Sequence, residues 1–355
     1  MSSCEVCGQA GHGMHFGVNT CRACAAFFRR AAESKWDRMK CLSRFCDERN
    51  RKRKLPQTVE LLSGKPHFVL FHSSTQKTKT YVDMSLLMSQ AMDIFKFGAE
   101  KPLIAKNGLQ KLKYGLNCLK KNEERHKIEE VTRKEITSFW EHHVLTTAKW
   151  LTYFDSFDVL EMDFKIDILK AVWHVWGRLD KMVATALYRT NNKNAKFSEK
   201  IIGNGVLTDI SLVRVDSNWM SRYSTEQLSY FLDGMRGLDL LHLIDEIQSL
   251  DLTETELTFM LAHLCFQYVA SRYGEKMSEI MEQFLGELSN DLHEYYTKDR
   301  MMIRYSGRLM KLLRINKEIL ENIRLYRGRA EVAKVFDVFH LDFSHPEMFR
   351  DTGLM

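Results

Sequence analysis

Two cysteine pairs, Cys4-Glu5-Val6-Cys7 and Cys21-Arg22-Ala23-Cys24, decide the fold of the first segment of the chain, and 13 residues separate the two pairs. With two residues between its members, each pair turns both sulfurs toward one point, so the two pairs together supply four tetrahedral thiolates. Glycines in the loop between the pairs permit the tight turns that this arrangement needs. Four-cysteine sites of this kind are closed, structural zinc sites. The spacing therefore predicts Zn²⁺ bound by Cys4, Cys7, Cys21 and Cys24.

A redox pair or a set of disulfides is the alternative explanation of these cysteines. Six of the eight cysteines precede residue 47. The first residues form no apolar signal segment, and no run of about 18 apolar residues occurs, so we expect neither export nor a membrane span. Without export, clustered thiols are read as metal ligands rather than disulfides. Two pairs at this spacing in a basic segment also disfavour a redox motif.

The positive charge of the chain is concentrated at its start. Residues 1–54 contain 12 Lys and Arg against 5 Asp and Glu, whereas the remainder contains 40 against 41. At the end of this segment, Arg51, Lys52, Arg53 and Lys54 form a basic run that suits phosphate contacts and nuclear import. A solvated linker is the alternative for that run alone. The charge of the whole segment predicts a polyanionic partner.

The residues after the fourth cysteine predict a helix that enters a DNA groove. They read Ala25-Ala26-Phe27-Phe28-Arg29-Arg30. Small residues let the helix sit deep in a groove, the two phenylalanines are buried beneath it, and Arg29 and Arg30 face a phosphate or a base edge. Arginine binds guanine through two hydrogen bonds. Beside the zinc site, this helix predicts binding to double-stranded DNA.

Composition divides the chain into three regions, with boundaries at 1–54, 55–83 and 84–349. The second region contains prolines, a glycine and a Ser/Thr/Lys run, which are typical of a hinge. No proline occurs between Leu103 and His345, and apolar residues recur there at helical spacing. We therefore expect a mostly α-helical second domain. A short strand pair near Gly203–Gly205 is the one expected interruption.

Three apolar stripes and one capping box carry the helical prediction. The stripes are Ile136, Trp140, Val144, Ala148 and Leu151; then Phe164, Ile168, Val172, Trp176, Leu179, Val183 and Leu187; then Tyr305, Leu309, Leu312, Leu313, Ile319 and Ile323. The second stripe belongs to a helix that is apolar nearly all round, which indicates a central position. Thr253 and Glu256 have the capping-box spacing that starts a further helix.

The run from Cys21 to Arg30, with His15 and Phe16 before it, resembles the nuclear hormone receptor family and its nematode-expanded branch in particular. The resemblance implies that Arg22, Ala23 and Ala26 discriminate bases, that Arg29 and Arg30 contact DNA, and that His15 and Phe16 approach the DNA backbone. Many members have lysine at the position of Ala25, where it is a main base contact. The absence of this lysine implies that the present chain recognises base sequence differently or more weakly.

The second zinc module of the family is incomplete in this sequence. That module has four more cysteines, whereas this chain supplies Cys41 and Cys46 and then none until Cys118. Two thiolates do not close a tetrahedral site. His67 and His72 are alternative ligands, but we interpret Cys41 and Cys46 as the remnant of a truncated module. In the family this module contributes dimer contacts, so its loss puts cooperative DNA binding in question.

Residues 84–349 resemble the family's α-helical ligand-binding domain. Ala148-Lys149, then Phe157 and Leu160, then Ile168-Leu169-Lys170 follow its signature, and Glu347-Met348-Phe349 is similar to its activation helix. The resemblance implies that Lys149 and Glu347 grip the two ends of a coactivator helix. A lysine there caps the carbonyl groups of the peptide and a glutamate caps its amide groups.

The predicted fold is therefore a small four-cysteine zinc-finger module followed by an all-α ligand-binding domain of nuclear-receptor type. The predicted function is a nuclear, zinc-dependent transcription factor of RNA polymerase II genes, controlled by a small lipophilic ligand and coregulators, with a receptor as dimer partner. The alternative is a receptor-like module that has lost useful DNA binding and sequesters partner receptors. No catalytic motif occurs, so we expect no enzyme.

Overall fold

A computed structural model describes residues 3–4, 10–15, 18–26, 78–101, 104–120, 125–225, 227–228, 230–231 and 240–354. The chain forms two compact units, Met1–Phe71 and His72–Met355.

The described part of the first unit contains a short hairpin followed by a helical turn. Strand β1 (Gly13–His15) pairs antiparallel with β2 (Val18–Thr20). Residues 22–26 are helical and are called the finger helix. An isolated bridge between Ser3 and Ala10 precedes the hairpin. The two cysteines Cys4 and Cys21 therefore lie at the ends of a small folded loop.

The second unit is mostly helical, as predicted. Its helices are α1 (Ser85–Phe97), α2 (Gly108–Lys120), α3 (Arg133–Leu151), α4 (Asp155–Asp158), α5 (Met162–Asn191), α6 (Leu241–Leu250), α7 (Glu254–Ala270), α8 (Glu275–Glu294) and α9 (Ser306–Val335). A π-helical turn (Tyr295–Asp299) continues α8, and a 3-10 turn (Pro346–Phe349) lies near the carboxyl end.

Local sequence explains where two of these helices begin. The predicted capping box at Thr253 and Glu256 is confirmed at the start of α7. Thr132 and Glu135 form a second capping box at the start of α3, where the Thr132 side chain accepts a hydrogen bond from a backbone amide of the first turn. Each box satisfies amides that have no partner within the helix, which stabilises the helix start.

Helix α5 lies at the centre of the second unit. It contacts α1, α3, α6 and α7, and α7 in turn contacts α2, α8 and α9. The predicted apolar stripes on α3 and α5 are buried, except that Phe164 is half-buried and Leu187 is 49% exposed. On α9, Leu312, Ile319 and Ile323 are buried. Burial of α5 on nearly all sides confirms its predicted central position.

Short strands lie between α2 and α6 and near the carboxyl end. The predicted strand pair is present as β6 (Glu199–Gly203) and β7 (Val206–Asp209), and β4 (His126–Lys127) adds parallel to β7. A second pair joins β5 (Glu130–Val131) to β8 (Arg214–Val215). These strands depart from an entirely helical domain, and they place β6 against α5.

The packed part of the second unit extends beyond the expected boundaries at 84 and 349. Strand β3 (Thr80–Val82) falls within the range expected for the hinge, yet it pairs parallel with β9 (Leu341–Phe343). At the other end, Asp351 and Leu354 are buried. Both extensions depend on contacts between residues far apart in sequence, which composition does not indicate.

Within the described part of the chain, no helix combines the length and the apolar character that crossing a membrane requires.

Candidate functional site

Three of the four predicted zinc ligands lie together in the first unit. The Sγ atoms of Cys4, Cys21 and Cys24 all lie within 4.8 Å of one another. Cys4 is 2% exposed, and Cys21 and Cys24 are half-buried. Cys7, the fourth predicted ligand, lies outside the described residues. The structure thus brings one member of the first pair to both members of the second.

The donor set fits zinc in chemistry and in spacing. Tetrahedral Zn–S bonds of about 2.3 Å place ligand sulfurs about 3.8 Å apart, which lies within the observed separation. The backbone amide of Cys24 donates a hydrogen bond to Sγ of Cys21 across 3.5 Å. Such bonds stabilise the charge of a metal-bound thiolate.

The finger helix presents the side chains that the family resemblance associates with base readout. Arg22, Ala23 and Ala26 are exposed, whereas Ala25 is buried. The amide of Ala25 donates to the carbonyl of Cys21 across 3.0 Å, so the second cysteine pair directly begins this helical turn. Positions 22, 23 and 26 share one side of a helix with 3.6 residues per turn. Cys21 and Cys24, two of the predicted metal ligands, therefore lie at the start of the helix from which these side chains project.

A histidine that the sequence reasoning did not select orients the arginine. Nε of Arg22 donates to Nε2 of His12 across 2.8 Å. The amide of His12 in turn donates to the carbonyl of Thr20 across 2.9 Å, which ties it to the hairpin. A guanidinium has five N–H donors, so this bond leaves capacity for a phosphate or a base edge. In the sequence, the feature that could have indicated this role of His12 is its position between two glycines of the loop that joins the cysteine pairs.

Several predicted DNA and metal residues are not placed. His15 lies on β1, but its side chain lies outside the described part. The others, which lie outside the described residues altogether, are Phe16, Arg29, Arg30, Cys41, Cys46, Arg51, Lys52, Arg53 and Lys54.

The predicted coregulator residues lie at separate places in the second unit. Lys149 is exposed in the last turn of α3. Glu347 lies in the 3-10 turn, where its Oε1 is 2.5 Å from Nζ of Lys170 and 3.4 Å from Nδ1 of His345. Burial acts to raise the pKa of Glu347, but the hydrogen bond from Lys170, together with a backbone hydrogen bond, the charge of Lys170 and the hydrogen bond from His345, outweighs it and lowers the pKa. The partner Lys170 on α5 was not anticipated.

The carboxyl-terminal residues are anchored on α5 and α7 around Glu347. Nε1 of Trp173 donates to the carbonyl of Met348 across 3.2 Å. The ring of Phe349 lies 5.7 Å from that of Trp173 and 4.9 Å from that of Trp140. Asp351 is fully buried between the side chains of Arg272, which follows α7, and Arg327 on α9. The predicted activation segment is therefore docked on the helical unit in this conformation.

Comparison with known proteins agrees with both units. Residues 2–61 match the family described as "Double treble clef zinc finger, C4 type", and residues 121–336 match the "Ligand-binding domain of nuclear hormone receptor".

Curated proteins of Caenorhabditis elegans are similar along nearly the whole chain. The nuclear hormone receptor family member nhr-130 is 38% identical over 99% of this chain and 92% of its own length. The members nhr-90 and nhr-115 are 38% and 36% identical, and each alignment covers 98% of the relative. The alignment with nhr-130 spans 406 positions, more than the 355 residues of this chain, so that relative contains residues with no counterpart here.

Proposed function

The chain belongs to the nuclear hormone receptor family, and on that premise we propose that it binds double-stranded DNA through its zinc finger and couples this binding to a ligand and coregulators. Family membership makes it a zinc-binding transcription factor and not an enzyme. The observation that carries the proposal is the convergence of Cys4, Cys21 and Cys24 next to a helix with an exposed arginine.

The zinc ion acts structurally in this proposal. It is held by Cys4, Cys7, Cys21 and Cys24, and it supplies the folding free energy that a unit of this size lacks without metal. The ligand pair Cys21 and Cys24 sets the direction of the finger helix. That helix enters the major groove, while the basic residues after it neutralise phosphates.

Base readout in this proposal depends on Arg22. Ala25 is buried, so the exposed side of the described helix consists of Arg22, Ala23 and Ala26. Of these, Arg22 alone has hydrogen-bond donors in its side chain. Its bond to His12 restricts the guanidinium to one direction, which lowers the entropy lost on binding a base edge. Arg29 and Arg30 and the run Arg51–Lys54 complete the proposed DNA contacts.

The second finger is proposed to be shortened, with Cys41 and Cys46 as its remnant. The sequence offers only these two cysteines between Cys24 and Cys118. Relatives contain residues that have no counterpart in this chain, which agrees with a shortened segment. A receptor partner would then supply the dimer contacts that this module lacks.

Control by coregulators is proposed to act through the docked carboxyl-terminal residues. Lys149 is exposed at the carboxyl end of α3, where it suits the carbonyl end of a bound helix. The side chain of Glu347 is 40% exposed and is oriented by Lys170. Partly exposed carboxylates are able to accept amide hydrogen bonds from the first turn of a peptide. Action in the nucleus on RNA polymerase II genes follows from family membership and is part of the proposal.

A gel-shift measurement with the full chain tests DNA binding. The probe is a duplex with a family half-site, titrated at about 100 mM salt with and without a zinc chelator. We expect binding that is lost on chelation and restored by zinc. Cys4→Ser and Cys24→Ser should remove it, whereas Cys265→Ser, a buried cysteine of α7, should retain it.

Two results would contradict the proposal. Binding that survives chelation would remove zinc from the mechanism. No binding in either condition, together with co-purification of another receptor, would favour the sequestering alternative. Zinc stoichiometry adds a check on the second finger, since one ion per chain is expected and two would mean a rebuilt second site.

A further inference from the structure

The strand that leads into the helical unit pairs with the strand that leads into its carboxyl-terminal residues. Strands β3 and β9 run parallel and in register. The amide of Thr80 donates to the carbonyl of His340 across 2.8 Å. At the other end of the pair, the amide of Ser344 donates to the carbonyl of Val82 across 3.2 Å. Main-chain hydrogen bonds at both ends therefore join the two strands.

Buried side chains set the register of this pair. Val82, Leu341 and Phe343 are buried, whereas the side chains of Tyr81 and Asp342, which lie opposite each other, are exposed. Successive side chains point to opposite faces of a strand, so a shift of one strand by one residue would turn its apolar side chains toward solvent. Burial therefore specifies one alignment of β3 with β9.

Strand β3 is itself fixed to the helical unit on both sides. Before the pair, Oγ1 of Thr80 donates to the carbonyl of Trp219 across 2.7 Å. After it, the amide of Met84 donates to Oγ of Ser344 across 2.8 Å, and helix α1 begins at the next residue. Helix α1 contacts α3 and α5, and its buried side chains are Leu87, Met88, Ala91 and Phe95. Because β3 is anchored in this way, it is able to hold β9 in place.

Phe343 connects the position of β9 to the residues that contain Glu347. Its ring stacks on the ring of Phe349, with the two centroids 3.9 Å apart and the ring planes inclined by 17°. The ring of Trp140 on α3 lies 6.0 Å from that of Phe343 and 4.9 Å from that of Phe349. Two residues separate β9 from the 3-10 turn that contains Glu347. The turn and the strand therefore share one aromatic contact surface.

Other contacts hold the same part of the chain and limit what β3 contributes. The amide of His340 donates to the carbonyl of Met220 across 2.8 Å, and Oγ of Ser221 donates to the carbonyl of Val338 across 2.6 Å. Asp351 adds its ion pairs beyond the 3-10 turn. Loss of the β3 pairing is therefore expected to increase the fraction of open molecules and not to abolish docking.

We propose that β3 is a strap whose pairing with β9 holds the carboxyl-terminal segment, defined as Pro346–Leu354, against the helical unit and so controls the presentation of Glu347. This inference rests on the proposed function, because it concerns the regulation of the coregulator site. A change in the preceding hinge that draws β3 from β9 loosens the segment. Undocking of the segment weakens the β3 pairing by the same factor, because coupling between two equilibria is reciprocal.

Hydrogen exchange of the full chain at pH 7, measured by mass spectrometry, tests the strap. The readout is the carboxyl-terminal segment beyond β9, where the amides of Met348 and Thr352 donate to the carbonyls of His345 and Phe349. Thr80→Pro removes the amide and the hydroxyl that fix β3. We expect exchange in the segment to become at least about fivefold faster, which corresponds to the loss of one or two hydrogen bonds.

Tyr81→Pro is the matched control in the same strand. The bonds of Thr80 and Val82 to β9 show that the amide of Tyr81, between them, points away from β9, and its side chain is 57% exposed. Proline is tolerated on an edge strand where its nitrogen makes no ladder bond. Exchange in the carboxyl-terminal segment should therefore change less than about twofold.

Ser344→Ala is a milder variant that leaves the strand backbone unchanged. It removes the oxygen that accepts the bond from Met84 and should accelerate exchange in the same segment about threefold. Ser289→Ala, at an exposed position of α8, is its control and should have no effect.

Exchange in α8, which packs against α2 and α7, reports whether a variant loosens the whole unit. Faster exchange in the carboxyl-terminal segment with α8 unchanged supports the strap. With α8 unchanged, an unaffected segment in Thr80→Pro, or equal acceleration in Tyr81→Pro, would overturn it. If Thr80→Pro also accelerates α8, Ser344→Ala decides, and an unaffected segment there refutes the strap. Because DNA and coregulator are absent from this experiment, a protein that binds neither refutes only the proposed function.

Discussion

Nε of Arg327 on α9 donates a hydrogen bond to Oδ1 of Asp351 across 2.8 Å, and this pair ties the carboxyl end of the chain to the helical unit. The side chain of Asp351 is fully buried, and its other oxygen also accepts hydrogen bonds from Tyr268 on α7 and from Arg272, which follows that helix. One carboxylate therefore joins α7, α9 and the residues that follow the 3-10 turn.

Asp351→Asn is expected to destabilise the helical unit by about 3–5 kcal/mol, because it leaves Arg272, whose side chain is only 11% exposed, without a counter-charge. Urea denaturation of the two proteins measures the difference. Asp93→Asn makes the same chemical change at a site that is 56% exposed and should cost less than about 1 kcal/mol. Equal losses in the two variants would show that the buried network does not anchor the carboxyl end.

The ion pair of Glu256 and Arg308 is expected to make stability depend on pH. Burial acts to raise the pKa of Glu256, but hydrogen bonds from Arg308, Tyr296 and the amide of Thr253 outweigh it and lower the pKa to about 2. A carboxyl group with a lowered pKa in the folded state stabilises the fold above its unfolded pKa near 4.5, and the contribution is lost as pH falls toward 2.

Glu256→Gln tests this pH dependence because glutamine retains the capping box at Thr253. The free energy of unfolding at pH 7 should fall by about 3 kcal/mol, and the loss should shrink steadily between pH 4.5 and 2. Glu141→Gln, an exposed change on α3, should cost less than about 0.5 kcal/mol at every pH. A difference for Glu256→Gln that stays constant with pH would exclude the ion pair as its cause.

Arg22→Ala is expected to weaken half-site binding by about 1–3 kcal/mol and to relax discrimination at one base pair. Gel shifts on duplexes that differ at single positions measure both effects. Arg304→Ala, an exposed change in the helical unit, is the matched control and should have no effect on DNA binding. A uniform loss across all duplexes would instead assign Arg22 to a phosphate contact.

Gly177→Ala is expected to destabilise the second unit by about 1–3 kcal/mol. A side-chain carbon at this position of α5 would lie 2.7 Å from Cδ2 of His143, so the buried imidazole must move. Gly286→Ala on α8 meets nothing within 4 Å, and it should stabilise the helix by about 0.5–1 kcal/mol. Opposite signs in thermal denaturation would establish the close packing of α3 against α5, whereas two gains would refute it.

Local patterns in the sequence predicted much of the fold. Apolar residues at helical spacing identified α3, α5 and α9, and the spacing of Thr253 and Glu256 identified the start of α7. These features depend on residues within one or two turns, which is the range over which helix geometry acts. The same argument applies to the cysteine pairs, because a metal knuckle forms within four residues.

Contacts between distant residues could not be predicted in this way. Strand β3 pairs with β9 across more than 250 residues, and the bond of the Met84 amide to Ser344 lies beside this pair. Lys170 is the partner of Glu347, and nothing near either residue in the sequence indicates the other. An ion pair of this kind forms because packing brings two distant segments together, and each charged side chain then lies close to one of opposite charge.

The sequence by itself determined that this chain has a zinc-binding start, a basic segment and a helical second unit, because spacing, charge and periodicity are properties of neighbouring residues. Only the tertiary structure decided that His12 orients Arg22 and that Asp351 anchors the carboxyl end. The physical reason is that burial and electrostatic pairing depend on distance in space, which local sequence does not specify.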